Sequence, residues 1–119
     1  MEDNINKNWK KFLNEEMTKA QELGITEFPF EIRDKNDNLI YYENSKGYWR
    51  KIEYDENNNQ TYSKNSNGYW RKREYDKKGN QIYFEDSDVY WNKREYDENN
   101  NEIYYEDSTG KIVDNRPKQ

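Results

Sequence analysis

An internal repeat of 21 residues constrains the fold of this chain more than any other feature of its sequence. Trp49, Trp70 and Trp91 follow one another at this spacing, and Phe28 occupies the same position one period earlier. Coincidence does not produce several residue sets with one period, so the chain contains about four copies of one structural unit. The other sets are Tyr41, Tyr62, Tyr83 and Tyr104; Ser45, Ser66, Ser87 and Ser108; Gly47, Gly68 and Gly110, interrupted by Val89; and Tyr54, Tyr75 and Tyr96 before Asp, with Arg33-Asp34 in the first copy.

Each unit has the pattern of a β-hairpin. In one copy, residues 69–76 alternate aromatic with charged side chains, which is typical of a strand with two usable faces, and residues 81–85 form the return strand. The turn between them has Gly79, where the other copies have Asp37, Asn58 and Asn100. Gly, Asn and Asp are the residues that best tolerate positive φ, which tight hairpin loops require. The substitutions at this position therefore support the hairpin independently of the aromatic residues.

The turn that connects one unit to the next is less uniform. It has glycine in three copies but Val89 in the third unit. A β-branched residue at positive φ is strained. Two interpretations stay open: either this position does not need positive φ, or the third unit turns differently.

The first 24 residues have a different, helical pattern. Their apolar residues recur at helical spacing with polar residues between them, and Gly24 is a typical C-terminal cap. We expect this helix to cover one face of the sheet; the alternative is a helix that binds a partner or a second copy. The apolar positions are Ile5, Trp9, Phe12, Leu13, Met17, Ala20 and Leu23.

The predicted fold is α+β and mainly β. It consists of an N-terminal amphipathic helix packed on an antiparallel β-meander of about four 21-residue hairpin repeats, roughly eight strands in all. With 119 residues the chain fits a single domain, residues 1–119. We expect the helix over residues 1–24, the repeat sheet over 28–113 and a flexible tail over 114–119. An open meander leaves an unpaired edge at each end, so edge-to-edge dimers are also expected to be accessible.

The composition argues against an enzyme. The chain has no histidine and no cysteine, which removes the commonest bases, nucleophiles and metal ligands. Glu53, Glu74 and Glu95 recur at the repeat period, which favours cross-strand ion pairs over a catalytic pair of carboxyl groups. The Asp- and Asn-rich segments 55–59 and 97–101 lack the glycine and glutamate of a calcium loop, which favours turns. We therefore predict neither a cofactor nor a metal.

Charge and hydropathy narrow the expected class of partner and the expected cellular location. The net charge is −5, and 20 basic residues are interspersed with 25 acidic ones, which disfavours a simple basic nucleic-acid binder. No apolar run approaches the length of a membrane span, and the N-terminus lacks the pattern of a signal peptide. Frequent Asn, Lys, Ile and Tyr are typical of AT-rich coding DNA. We expect a cytoplasmic protein of a bacterial host cell, encoded by the bacterium or its phage.

The repeat resembles two known repeat families. Its pattern Tyr-Asp-x-x-Gly/Asn-Asn, followed by Ser-x-Gly and an aromatic-charged strand, resembles the YD repeats of RHS-type proteins. It is also similar to MORN-variant repeats, and the likeness covers residues 28–112. The resemblance implies serial β-hairpins and brings no catalytic residue with it. Four units are too few to enclose a toxin as long RHS arrays do, and the Asn-rich turns depart from both families.

The candidate binding residues belong to the string Tyr-Trp-Arg-Lys and its equivalents. Aromatic residues beside cations can bind a protein surface or stack nucleic-acid bases, and they can also be the packing ladder of the sheet itself. All three interpretations stay open. Differences between copies mark candidate specificity positions: Thr61, Ser63, Lys64, Val89 and Asn92. The predicted partner-binding residues are Tyr48, Trp49, Arg50, Tyr69, Trp70, Arg71, Arg73, Tyr90, Trp91 and Arg94.

These observations predict a non-enzymatic module that binds a protein partner by occupying its surface. Small size and a phage-like composition suit an inhibitor of a bacterial defence nuclease, such as an anti-CRISPR protein. The alternatives are RNA binding through the Tyr-Trp-Arg-Lys ladder and an antitoxin-like or purely structural repeat protein.

Overall fold

The computed structural model describes residues 17–118, which form one open antiparallel sheet of nine strands. The strands lie in the order in which they follow one another along the chain, so every connection is a hairpin. One short helix, α1, precedes them at Lys19–Leu23. The strands are β1 Phe30–Arg33, β2 Leu39–Glu43, β3 Trp49–Tyr54, β4 Gln60–Asn65, β5 Trp70–Tyr75, β6 Gln81–Asp86, β7 Trp91–Tyr96, β8 Glu102–Asp107 and β9 Ile112–Asp114.

The predicted fold class is wrong in its helix and in its strand number. Within residues 17–118 no amphipathic helix packs on the sheet, because α1 has only five residues. Thr18 and Gln21 form a capping box at its start, and Gly24 ends it at a φ of 70°. The rest of the predicted helix, residues 1–16, lies outside the described residues. The ninth strand arises because the turn at Gly110 returns the chain along β8 and begins a fifth, incomplete copy.

All eight hairpin turns have the same hydrogen-bonding pattern. In each turn an Asp or Asn accepts hydrogen bonds through Oδ1 from the main-chain N–H groups two and four residues later. The residue three positions after it has positive φ, as in a type I turn followed by a residue in the left-handed region. The repeating Asp and Asn residues are therefore turn residues, as the sequence predicts. The acceptors are Asp34, Asn44, Asp55, Asn65, Asp76, Asp86, Asp97 and Asp107.

Val89 adopts the same positive φ as the glycines of the equivalent turns. Its φ is 65°, its N–H donates to the carbonyl of Asp86 at 3.3 Å, and its side chain is 83% exposed. Both open interpretations are thus wrong: this position does adopt positive φ, and the third unit turns as the others do. A β-branched side chain in the left-handed region stores strain that no burial offsets.

Replacing Val89 with glycine is therefore expected to stabilise the protein. Relief of the left-handed strain should raise the free energy of unfolding by about 1 kcal/mol, net of the entropy that glycine adds to the unfolded chain. Urea denaturation followed by circular dichroism measures this change. Val89→Ala serves as the control because it keeps Cβ, and so most of the strain; equal stability of the glycine and valine proteins would contradict the prediction.

The sheet is a single layer with hardly any interior. Only three apolar residues of the described chain are buried: Ala20, Tyr41 and Ile52. Neighbouring residues of a strand point to opposite faces, and residues paired across strands share a face. The sheet therefore has two distinct surfaces. The tryptophan face consists of Trp49, Lys51, Glu53, Tyr62, Lys64, Trp70, Lys72, Glu74, Tyr83, Glu85, Trp91, Lys93, Glu95, Tyr104 and Glu106, together with Tyr41 and Glu43 next to α1. The arginine face consists of Arg50, Ile52, Ser63, Arg71, Arg73, Phe84, Asp86, Asn92, Arg94, Tyr105 and Asp107.

Side-chain hydrogen bonds close each hairpin and join it to the one before it. Ser66 Oγ accepts a hydrogen bond from the N–H of Trp49 at 3.2 Å, and the N–H of Ser66 donates to the carbonyl of Trp49, which closes the open end of the β3–β4 hairpin. Ser87 and Ser108 make the same pair of bonds in the next two hairpins. The hydroxyl of Tyr75 on β5 donates to the carbonyl of Gln60 on β4, and Tyr54 does the same one repeat earlier. The periodic serines therefore close each hairpin, and the Tyr-Asp tyrosines join neighbouring hairpins.

Both edges of the sheet carry features that disfavour strand pairing. Pro29 directly precedes β1, and Pro117 follows the three-residue strand β9. Proline lacks the N–H that an added strand would need, and very short edge strands pair poorly. Edge-to-edge dimerisation stays a prediction, with β9 the less protected side, because Ile112 and Val113 are exposed there.

Candidate functional site

Strand alternation divides the predicted binding residues between the two faces of the sheet. The three tryptophans lie on the tryptophan face, whereas the tyrosines and arginines of the same strings lie on the arginine face. The string Tyr-Trp-Arg-Lys is thus not one continuous ladder. The residues that the arginine face brings together are Tyr48, Arg50, Tyr69, Arg71, Arg73, Tyr90 and Arg94.

The tryptophan face repeats nearly unchanged from one unit to the next. The ammonium groups of Lys51, Lys72 and Lys93 lie 5.1, 5.3 and 5.2 Å from the ring centroids of the tryptophans two residues before them. Lys72 lies directly opposite Glu85, and the next unit repeats this pairing. Cation–π contacts and opposite charges across strands both stabilise an exposed sheet face. Stability of the sheet alone therefore accounts for the regular pattern of the tryptophan face.

Lys64 is the exception on the tryptophan face. The other copies have Glu43, Glu85 and Glu106 at its position, and Lys64 lies directly opposite Lys51. Like charges directly across a strand pair are destabilising. Of the five candidate specificity positions, this is the one that the structure places on this face of the sheet.

We expect Lys64→Glu to stabilise the protein by restoring the charge pair of the other copies. The gain in the free energy of unfolding should be about 0.5 kcal/mol at low ionic strength and should shrink in high salt. Urea denaturation at two salt concentrations measures it. Glu85→Lys, which creates the same like-charge pair one unit later, should lose a similar amount. A loss of stability in Lys64→Glu would show that the lysine has a favourable partner.

The arginine face, in contrast, differs from copy to copy. The three positions that change most run along neighbouring strands, so the differences form one continuous area rather than scattered points. Polar, aromatic and cationic side chains replace one another there. The equivalent residues are Ile52, Arg73 and Arg94; Ser63, Phe84 and Tyr105; and Arg50, Arg71 and Asn92.

Aromatic rings hold the guanidinium groups of this face in place. Arg73 lies 5.5 Å from the ring centroid of Phe84, on the neighbouring strand β6. Arg94 lies 5.3 Å from the ring of Tyr105, which is the equivalent pair in the next unit. Arg71 lies 5.8 Å from the ring of Tyr69. Contact with a ring restricts the flexible arginine side chain, so less entropy is lost when the guanidinium binds a partner.

A hydrogen-bond network fixes the polar side chains between the arginines. The hydroxyl of Tyr69 donates to Asp86 Oδ2 at 3.1 Å, and that of Tyr105 donates to Asp107 Oδ2 at 2.7 Å. Hydrogen bonds from Thr109 and Tyr105 lower the pKa of Asp107 to about 2, and bonds to Tyr90 and Asp107 raise the pKa of Tyr105. Both aspartates are buried, and the lowered pKa of Asp107 keeps that carboxylate ionised near neutral pH.

The arginines differ in whether a carboxylate neutralises them. Arg94 has Glu102 Oε1 3.4 Å from its Nε. Among residues 17–118, by contrast, Arg50, Arg71 and Arg73 have no carboxylate oxygen within 4.0 Å of a guanidinium nitrogen. Arg71 lies opposite Asp86, but that carboxylate is taken up by Tyr69 and by main-chain N–H groups of its own turn. Around β3 and β5 the arginine face therefore presents positive charge that no carboxylate of residues 17–118 pairs with.

Three buried polar atoms on this face lack a hydrogen-bond partner in the described part of the chain. They are Arg71 Nε, Asn92 Oδ1 and Arg94 Nε, the last of which is close enough to Glu102 for an ion pair but lacks the geometry of a hydrogen bond to it. Buried polar atoms without partners are rare and costly, and they often lie at functional sites. Asn92 is itself 93% buried, since its exposed fraction is 7%. Unsatisfied polar groups thus lie within the same area that varies between repeats.

The return strands contribute residues to this face that the sequence pattern did not single out. Phe84 and Asp86 lie between the arginines of β5 and β7, and Tyr105 lies opposite Arg94 on its other side, because β6 and β8 pair with the strands that carry the arginines. The sequence repeat does contain the information needed to find these residues. The turn residues fix the register of each hairpin, and the register determines which residue lies opposite each arginine.

The Asp- and Asn-rich turns show no sign of a metal site. Their carboxylates already accept main-chain hydrogen bonds, as in Asp55 with the N–H groups of Asn57 and Asn59. Within residues 17–118 no group of His, Cys, Asp and Glu side chains could hold a metal ion. The described region likewise contains no helix that is long and apolar enough to cross a membrane.

Stability should fall in acid because the carboxylates of five turns and that of Asp114 have lowered pKa values. In four of the turns the largest cause is a main-chain hydrogen bond, such as that of Asn59 to Asp55. For Asp107 and Asp114 the largest cause is a side-chain hydrogen bond, from Thr109 and Arg116 respectively. A lowered folded-state pKa adds stability above the unfolded pKa, near 4, and that stability disappears as the pH falls through the folded pKa. The carboxyl groups concerned are Asp34, Asp55, Asp76, Asp97, Asp107 and Asp114.

The midpoint of thermal unfolding is accordingly expected to be nearly constant from about pH 7 to 5 and to fall between about pH 4 and 2. Circular dichroism melts across this range measure it. The double variant Asp55→Asn, Asp76→Asn should lose less stability in acid, because Asn44 and Asn65 already accept the same turn bonds without titrating. A midpoint that does not change down to about pH 2 would contradict the prediction.

The chain matches no protein-family model, and a search of curated proteins finds no match. The resemblance to YD and MORN-variant repeats therefore stays a prediction. The proposed function rests on the geometry of the two faces of the sheet.

Proposed function

We propose that this protein is a non-enzymatic binding module that attaches to a protein partner through its arginine face. The observation that carries the proposal is a set of three arginines on the face that varies between repeats: Arg50, Arg71 and Arg73 have no carboxylate partner within residues 17–118, and the last two lie over aromatic rings. Arginine and tyrosine dominate the energetics of protein interfaces. The uniform tryptophan face supplies the scaffold, and the arginine face supplies the contacts.

A single-layer sheet suits a function of surface occupation. The hairpins hold the backbone through strand pairing and turn hydrogen bonds, so face residues can change without repacking a core. We extend the proposal to an inhibitor of a bacterial defence nuclease, of the anti-CRISPR kind, that acts in the cytoplasm by covering a functional surface. An antitoxin-like role uses the same mechanism on a different target.

RNA binding is the second candidate, and one observation favours it. Arg71 and Arg73 lie against aromatic rings, an arrangement that can also contact phosphates and stack bases. The net charge of −5 and the buried carboxylates of Asp86 and Asp107 oppose it, because a polyanion would meet negative charge on this face. We therefore rank RNA below a protein partner.

The proposal is tested by affinity capture with matched charge reversals. Tagged protein is incubated with lysate of a low-GC bacterium, with and without nuclease, and each captured protein is then purified and titrated alone. We expect one protein to bind directly after nuclease treatment and to be lost with the double variant Arg71→Glu, Arg73→Glu. Lys64→Glu is the control, because it reverses a charge on the opposite face. Recovery only with intact RNA, or equal loss in the control, would overturn the proposal.

A further inference from the structure

We infer that the contact surface on the arginine face ends between Arg73 and Arg94, and that Arg73 binds a carboxylate supplied by the partner protein. The inference rests on the proposed function and specifies the partner chemistry at one position. Arg73 and Arg94 are equivalent residues of successive units, yet only Arg94 has an acidic neighbour within the described chain. At Arg73 the partner must supply the negative charge that Glu102 supplies at Arg94.

The two arginines have nearly identical surroundings. Arg73 lies opposite Phe84 on β6, and Arg94 lies opposite Tyr105 on β8. Each guanidinium lies over that opposite ring, at 5.5 Å and 5.3 Å from the ring centroid. The backbone register at the end of each hairpin is also the same, since Tyr75 pairs with Gln81 as Tyr96 pairs with Glu102. The two sites therefore differ mainly in one side chain.

That side chain decides whether the guanidinium is neutralised. Glu102 Oε1 lies 3.4 Å from Arg94 Nε and supplies a full negative charge. Gln81 has the same length and shape but no charge, so Arg73 keeps its positive charge available. Arg94 forms the closed end of the cationic area, and Arg73 with Arg71 forms its open part. A guanidinium restrained by a ring and free of an internal partner favours bidentate binding to a carboxylate.

A carboxylate on a protein fits this position better than the phosphates of a nucleic acid. The buried aspartates lie on the same face: Asp86 is directly opposite Arg71 in the neighbouring row, and Asp107 is in the row of Arg73, beyond Phe84 and Asn92. A strand of regularly spaced phosphates would place negative charge against them, whereas a protein surface can place an acid at Arg73 and neutral or donor groups beside it. We therefore assign the partner surface as one with an acidic side chain opposite Arg73.

The test exchanges Gln and Glu between the two equivalent positions. Gln81→Glu should give Arg73 the internal partner that Arg94 has, and Glu102→Gln should release Arg94. Both changes keep the size of the side chain, and circular dichroism confirms that each variant folds. The Nε–Hε resonances of the arginines, assigned with Arg→Lys variants, are followed by NMR during titration with an oligoglutamate peptide. Oligoglutamine and oligouridylate of the same length are the comparison probes.

In the wild-type protein, oligoglutamate should shift the resonances of Arg71 and Arg73 and leave that of Arg94 in place. In Gln81→Glu the response of Arg73 should be lost and the apparent affinity should fall about tenfold, the equivalent of roughly 1.4 kcal/mol. In Glu102→Gln the Arg94 resonance should respond as well. Oligoglutamine should shift none of these resonances.

Two results would overturn the inference. One is an unchanged response of Arg73 in Gln81→Glu, and the other is a stronger response to oligouridylate than to oligoglutamate. The proposed function fails separately, when capture of the partner protein survives the double reversal of Arg71 and Arg73. An unchanged Gln81→Glu response together with lost capture in that double variant would reject the carboxylate at Arg73 and keep the binding face.

Discussion

The double variant Arg71→Glu, Arg73→Glu is expected to bind the partner at least about a hundredfold more weakly than the wild-type protein. The two guanidinium groups lie two residues apart on β5, over the rings of Tyr69 and Phe84, and neither has a carboxylate within the described chain. Removing one member of a desolvated charge pair costs about 2–5 kcal/mol, and reversal adds repulsion with the partner acid. Titration calorimetry or surface plasmon resonance with the captured protein measures the loss.

The control for this prediction lies on the other face of the same sheet. Lys64→Glu reverses one charge and is expected to leave the affinity within about twofold of the wild-type value, because exposed charges away from an interface act only through screened fields. Raising the salt concentration should weaken the wild-type complex more than that of the double variant. Wild-type affinity in the double variant, with its folding verified, would show that the partner contacts another surface.

Tyr41→Ala is expected to cause the largest loss of stability of any single substitution considered, about 3 kcal/mol. Tyr41 is only 4% exposed, and its ring lies 6.0 Å from that of Phe30 and 6.4 Å from that of Trp49, measured between ring centroids. Its hydroxyl donates to Glu43 Oε1 at 2.8 Å, and the same oxygen accepts the N–H of Ala20 at 3.1 Å. The substitution therefore removes the largest buried ring and leaves a buried carboxylate with one bond fewer.

Equivalent positions in the repeat provide the matched controls. Tyr62→Ala removes the same residue from the next copy, where α1 does not cover it, and should cost about half as much or less. Tyr41→Phe keeps the ring and removes only the hydroxyl bond to Glu43, which should cost about 1–2 kcal/mol. Urea denaturation measures all three variants. Equal losses in Tyr41→Ala and Tyr62→Ala would mean that the short helix adds nothing to the packing of the sheet.

Turn chemistry is what made most of this fold predictable from the sequence. One position of the turn requires positive φ, and the four residues that occupy it in successive copies all adopt positive φ: Asp37, Asn58, Gly79 and Asn100. Once the turns are placed, the period-two alternation assigns each side chain to a face. Hairpin order, strand positions and the separation of tryptophans from arginines all follow from these two local rules.

The features that were predicted wrongly depend on interactions beyond one repeat. Helical periodicity extended to Gly24, but within the described residues the helix is confined to Lys19–Leu23, where Thr18 caps it and the N–H of Ala20 bonds to Glu43. The strand count was too low because the fifth copy diverges in sequence after Gly110, although its N-terminal half still pairs with β8. The helix thus begins where the local Thr18 cap places it, and the ninth strand forms because β8 offers it an edge to pair with.

The candidate site was predictable in its residue types and not in its selectivity. Sequence alone indicated arginines beside aromatic residues, and the sheet brings Arg71 and Arg73 together as expected for a strand. The distinction between a free and a neutralised arginine depends on Gln81 and Glu102, which lie eight residues after Arg73 and Arg94. Only the bulged register at the hairpin end brings Glu102 to Arg94, so spacing in the sequence does not reveal the pair.

The serines that accept the N–H groups of Trp49, Trp70 and Trp91 have a consequence for how such a protein can change. Each serine closes its own hairpin, and the hydroxyls of Tyr54 and Tyr75 reach only the hairpin before theirs, so these contacts extend to the neighbouring unit and no further. Duplicating or deleting one 21-residue segment would therefore preserve this pattern of contacts in the remaining hairpins. Such an event would lengthen or shorten the arginine face by one row of side chains, and a new row can diverge while the tryptophan face keeps its pattern. Binding specificity in this architecture can thus evolve by the gain, loss and divergence of whole hairpins.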